Sequence, residues 1–126
     1  MQLKSKVRDA KIIPGDCRQI FVSMDRIRIL KEFLRENPGD SFSQHALALE
    51  YIKAGDEARA QKLFEEILDR EPSYVGSYYH LAKLLEKKGD KNAAIKYYEK
   101  GMEEARKAGE TRAFSELLSA YEELVF

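Results

Sequence analysis

Two histidines, one cysteine and seven tyrosines are the side chains in this sequence whose types could carry metal binding, nucleophilic attack or base stacking. Their spacing argues against each. His45 and His80 are far apart, and Cys17 has no second thiol to join them, so no metal-ligand pattern forms. Each histidine is expected on a groove or a surface. Cys17 lacks the basic helical context of a reactive thiolate. No glycine-rich phosphate loop, nucleophile elbow or paired His/Asp constellation is present. Tyrosines can stack on bases, but 22 cationic residues against 22 anionic ones leave no basic field for a nucleic acid. Glu99 and Glu103, set against Lys96, Lys100 and Lys107, read as the solvated face of a long helix, with each pair worth about 0.2–0.5 kcal/mol. No catalytic residue, metal or cofactor is expected. The chain reads as non-enzymatic.

Composition sets the remaining bounds. A length of 126 residues suits one domain, and 35% charged with 44% apolar residues suits amphipathic helices. One cysteine excludes an internal disulfide framework and fits a reducing cytosol, so a cytoplasmic location is expected. The apolar runs are only a few residues long, far short of a membrane span. Charge is uneven, however. Residues 1–23 hold five Lys/Arg against two Asp/Glu, and residues 24–126 hold 17 against 20.

The elements that position these side chains follow from a repeat. Residues 41–74 and 75–108 form two tandem stretches of 34 residues. Nine aligned positions are identical: Ser43/Ser77, Leu47/Leu81, Ala48/Ala82, Lys53/Lys87, Gly55/Gly89, Asp56/Asp90, Ala60/Ala94, Lys62/Lys96 and Glu65/Glu99. Chance at ordinary composition would give about two. A fixed period of this length is the signature of a helical solenoid.

Each repeat divides into two helices. In the first, Ser41 and Gln44 read as a capping box, and Gly55 can supply a left-handed turn after Ala54. Asp56 then caps a second helix that runs to about Arg70, before Pro72. Gly89 and Asp90 repeat the corner. Arg106 stands where the first repeat has Pro72, so that helix is expected to continue to about Ala108. Gly109-Glu110-Thr111 opens a last helix to about Leu124.

Ahead of the repeats, Ile27, Leu30, Phe33 and Leu34 lie at helical spacing, with Asp25 placed to cap and Asn37-Pro38-Gly39 to stop. This half-repeat over 24–37 is expected to close the N-terminal end. Residues 1–23 show no helical period: Ile12–Asp16 reads as a turn, and Gln19–Val22 as at most a short extended piece. Two readings of that segment stand: a poorly ordered leader, with Met24 as the natural start, or a basic tail that helps a partner dock.

On these residues the chain resembles the tetratricopeptide repeat family. The first repeat offers Leu47, Ala48, Tyr51, Gly55, Ala60, Phe64 and Pro72 at the family positions. The second offers Tyr78, Leu81, Ala82, Leu85, Gly89, Ala94, Tyr98 and Gly101. Gln44, Ile67 and Arg106 depart from the pattern, and Ile67 implies a slightly wider contact between repeats. The resemblance implies an all-α fold, a right-handed superhelix of two full repeats with an N-terminal helix and a C-terminal capping helix over 110–126. Tyr51, Tyr78 and Tyr98 would be core residues. It further resembles small bacterial proteins of this kind.

The resemblance also implies a concave groove lined by the first helix of each repeat, where a protein or peptide partner would sit. Carried onto this chain, the groove positions are Phe42, His45, Leu49 and Ile52, then Tyr79, Lys83 and Glu86, with Gly76 between the two sets. Ala113, Leu117 and Ala120 would come from the last helix. Lys83 is the clearest cation, and the mixture suits an extended or helical peptide with apolar anchors. Phe42, Leu49 and Ile52 could equally pack on the N-terminal helix. The clamp that holds acidic chaperone tails is absent, since its places hold His45, Leu49, His80, Glu110 and Phe114. The last helix carries Phe114, Leu117, Leu118, Tyr121, Leu124 and Val125. That stripe either packs wholly on the preceding repeat or leaves surface for self-association as a homodimer or for further chain.

Overall fold

The computed structural model describes the backbone of residues 15–126 and the side chains of residues 24–126. Six helices and no strand occur among the described residues. They are α1 Gly15–Glu36, α2 Ser41–Lys53, α3 Glu57–Arg70, α4 Gly76–Lys88, α5 Lys91–Ala108 and α6 Thr111–Val125. The fold divides at Ala60/Gln61, within α3, into two compact units, and each is described by itself.

The corners form as the sequence implies. Gly55, Gly89 and Gly109 take φ of 87°, 96° and 73°, the left-handed region where a side chain meets the backbone. Each closes the preceding helix with a pair of reversed hydrogen bonds. At the first, the Gly55 amide donates to Ile52 O at 3.0 Å and the Asp56 amide to Tyr51 O at 2.8 Å. At the second, Gly89 donates to Glu86 O at 3.0 Å and Asp90 to Leu85 O at 2.9 Å. The aspartate then turns round to cap the next helix. Asp56 accepts from the Arg59 amide at 3.2 Å, and Asp90 from the Ala93 amide at 3.3 Å.

Two expectations at the N-terminal end are corrected. α1 begins at Gly15, not near Met24, so Gln19–Val22 is helical rather than extended. No proline or glycine interrupts the chain from Cys17 to Asn37, and Cys17, Ile20, Phe21, Met24 and Ile27 continue one helical spacing. Asp25 therefore lies inside the helix and pairs with Arg28 at 3.2 Å instead of capping. The rest of the expected leader, residues 1–14, lies outside the described residues. The cap of α2 is Asp40 and not Ser41. The Asp40 carboxylate accepts from the Ser43 amide at 3.1 Å and from the Ser43 hydroxyl.

In the N-terminal unit α1 packs on α2, and Leu47, Ala48 and Tyr51 on one face of α2 are buried. Glu50 is buried there as well, its carboxylate 3.4 Å from the Arg26 guanidinium and 3.6 Å from the Lys53 ammonium.

In the C-terminal unit α4 packs on α5, and α5 on α6. The core holds Phe64, Ile67, Tyr78, Leu81, Ala82, Ala94 and Tyr98, all at or near zero exposure. Its tightest point is Gly101 on α5. A Cβ there would lie 2.7 Å from Tyr78 Cβ and 3.1 Å from Leu117 Cδ1, so glycine alone lets three helices meet. Tyr78 is fixed from its other end by a 2.6 Å hydrogen bond to the Pro72 carbonyl, and burial pushes its hydroxyl up to about 12.

These contacts give a graded expectation. Gly101→Ala should cost about 1–3 kcal/mol through overpacking. Gly89→Ala should cost about 1–2 kcal/mol through its left-handed backbone. Gly39→Ala, where an added Cβ meets nothing within 4 Å, should change stability by under about 0.5 kcal/mol. Urea midpoints of the three variants, compared with the parent, check the order.

Candidate functional site

In the N-terminal unit the face of α2 turned away from Leu47 carries Phe42, His45, Leu49 and Ile52. Phe42 is 73% exposed, and the other three are half-buried. An exposed phenylalanine beside two half-buried aliphatics makes an apolar strip along one helix.

In the C-terminal unit the corresponding face of α4 carries Tyr79, Lys83 and Glu86, all half-buried. Lys83 is not an open cation. Its ammonium lies 5.8 Å from the Tyr79 ring centre and 3.8 Å from the Glu86 carboxylate. Glu86 in turn accepts a hydrogen bond from Tyr98 of α5. Burial and then that bond push the Tyr98 hydroxyl well above its ordinary range, so it stays a donor. Lys83 and Glu86 thus neutralise each other on a carboxylate anchored to the core.

Beside Tyr79 the surface opens into a groove of about 430 Å³, lined across from it by Glu116, Ser119, Ala120 and Glu123 of α6. Ala120 is buried and forms part of its floor. Leu117 does not reach this groove. At 1% exposure it packs beneath Gly101 and belongs to the core, which corrects its expected place. Of the α6 residues inferred by repeat position, Ala120 lines this groove and Leu117 does not. Glu116, Ser119 and Glu123 were missed, although they are the polar gaps between the apolar positions Phe114, Leu117, Leu118, Tyr121 and Leu124. That polar pattern was the available signal.

His80 faces away from this groove chemistry. Its ring stacks on Phe64 at 5.9 Å and meets the edge of Tyr79 at 5.5 Å. Burial lowers its pKa from the usual 6.5, which favours the neutral ring. Among the described residues no group of His, Cys, Asp or Glu side chains could hold a metal ion, and no helix is long and apolar enough to cross a membrane.

A family profile described as the tetratricopeptide repeat matches residues 51–120. The chain belongs to that family. It is similar to a tetratricopeptide repeat domain protein from Salinibacter ruber, whose solution structure is 42% identical and covers 70% of this chain and 89% of its own, with a TM-score of 0.67. It is also similar to MamA, at 24% identity over 67% of this chain and 49% of that one, with a TM-score of 0.63. The tetratricopeptide repeat domain of Sgt2 from Aspergillus fumigatus is 20% identical over 87% of this chain and 81% of that one, with a TM-score of 0.62. The last two share the fold alone. No curated protein matches the chain. Tetratricopeptide repeats are protein–protein interaction modules, and this chain has the all-helical solenoid fold of the family.

The stacking of His80 gives a pH test. A folded pKa below the unfolded value of about 6.5 means that protonation favours the unfolded chain. The contribution is complete above about pH 6.5 and is lost as pH falls through the lower folded value. The urea midpoint should therefore drop between about pH 7 and pH 5, and His80→Phe should flatten that drop.

Proposed function

We propose that this tetratricopeptide repeat chain is a non-enzymatic adaptor, working in the cytoplasm, that captures a peptide or protein segment on the faces of α2, α4 and α6. The interaction domain is taken as residues 24–126, with the repeats at 41–74 and 75–108. The observation that carries the reading is the groove beside Tyr79, open at the surface and flanked by Glu116 and Glu123. Lys83 is paired with Glu86 and Glu116 with Arg112, so the charge that remains along this groove is the negative one of Glu123. The partner segment accordingly presents an apolar or aromatic residue to Tyr79 and a Lys or Arg to Glu123, within reach of Glu116 as well. In the N-terminal unit, Phe42, His45, Leu49 and Ile52 offer contact to apolar residues of the same or another segment.

The test is a pull-down from the source cell with the full chain as bait, run beside Tyr79→Ala/Glu116→Lys/Glu123→Lys and beside Leu49→Ser. Proteins held by the parent and lost by the triple variant should share a basic segment. A synthetic peptide of that segment should bind the parent at least about tenfold more tightly than the triple variant in calorimetry. Equal capture by all three baits would end the groove reading.

A further inference from the structure

A second open cleft, larger than the Tyr79 groove, lies in the N-terminal unit, between α1 and the corner that joins α2 to α3. It measures about 640 Å³. Met24 and Ile27 of α1, Tyr51 of α2 and Ala54 just past its end give it apolar lining. Its walls carry four cations, Arg28, Lys31, Arg35 and Arg59, against two carboxylates, Glu32 and Asp56. Two of the cations are engaged. Arg28 pairs with Asp25 at 3.2 Å, and Arg59 pairs with Asp56 at 3.4 Å while lying over the Tyr51 ring. Lys31 and Arg35 make no ion pair among the described residues. They repeat at one helical turn along α1 and face the same cleft.

The complementary surface is present in the same sequence, on the other unit. The last turn of α6 and Phe126 form the stretch Tyr121-Glu122-Glu123-Leu124-Val125-Phe126. Phe126 is 96% exposed, Glu122 is exposed, and Leu124 and Val125 are only half-buried. From Thr111 onward the helix carries three glutamates against one arginine. An exposed aromatic flanked by carboxylates has the two features that the basic cleft with its apolar lining lacks.

We infer that the α1–α2 cleft of one copy receives the C-terminal end of α6 from a second copy. Phe126 enters beside Met24, Ile27 and Tyr51, while Glu122 meets Lys31 and Arg35. Such a contact joins unlike surfaces, so each copy keeps one cleft and one α6 end open, and the association grows head to tail instead of stopping at a symmetric pair. A nucleic acid is a poorer occupant, because Glu32 and Asp56 would repel a run of phosphates and Met24 and Ile27 offer it nothing.

Sedimentation of the full chain tests this. The parent should show mass rising with concentration beyond a dimer, and the association should be lost near about 1 M salt, where screening falls to about 3 Å. A cleft variant, Lys31→Glu/Arg35→Glu, and an α6 variant, Glu122→Ala/Phe126→Ser, alter exposed side chains and should keep the parent's helical circular dichroism. Each alone should run as a monomer. An equimolar mixture still offers one intact cleft and one intact α6 end, so it should form a dimer and nothing larger. The inference is overturned by a parent that stays monomeric at millimolar concentration, or by a mixture that stays monomeric. It is equally overturned if the cleft variant still associates while the α6 variant does not, since α6 would then pair with itself.

Discussion

The corner on which the structure depends is a left-handed glycine followed at once by a helix-capping residue. Gly55-Asp56 and Gly89-Asp90 each satisfy the last carbonyls of one helix and the first amides of the next within two residues. Helix ends left open would expose several unpaired backbone groups apiece. The short corner also fixes how the paired helices meet, because two residues allow no slack in their register. Ala48, Ala60, Ala82 and Ala94, all fully buried, then let the backbones come close. At Gly109 the glycine recurs without the aspartate, and Glu110 supplies no side-chain cap to α6. The corner remains, since the glycine supplies the turn and the capping group only adds to it.

The polar groups that matter most to the site are held by the core and not by the surface. Ion pairs such as Arg112 with Glu116, or Lys107 with Glu103, join exposed side chains and contribute little. Glu86 is different. Its carboxylate is fixed by the hydroxyl of a fully buried tyrosine, Tyr98, and only then meets Lys83. A residue that looks like the groove's cation in the sequence is thereby spent locally. The sign of the remaining charge is set by α6, whose glutamates have no such anchor in the core.

The period, the corners and the core were legible in the sequence because each rests on local rules. Leu47, Ala48, Tyr51, Phe64, Leu81, Ala82 and Tyr98 are buried as their repeat positions require. The start of α1 was not legible from the repeat, since nothing before Met24 aligns with it. The apolar spacing back to Cys17 was the better guide. The cap at Asp40 was missed because Ser41 and Gln44 match a capping motif equally well on paper. Only the φ, ψ values of Asp40, −80° and 99°, decide which residue lies outside the helix. On α6, Leu117 was misplaced for another reason, while Ala120 does line the groove. Repeat numbering was carried past the last full repeat, where Leu117 follows the packing demands of Gly101 and Tyr78 instead.

That last error points to how specificity is encoded here. Along α2 and α4 the residues that make the core and the residues that face the groove occupy different positions of the same turn. Leu47, Ala48 and Tyr51 can stay constant while Phe42, His45, Leu49 and Ile52 vary, and the helix packs equally well. The repeat therefore records what holds the helices together and is silent about what they hold. Where the pattern ends, the core has first claim on each apolar residue, as Leu117 shows. The surface proposed to face a partner is made from what remains: Tyr79, the anchored pair Lys83 and Glu86, and the glutamates of α6. On the proposed reading those leftover positions select the partner, and finding them requires knowing which side of each helix the core has already taken.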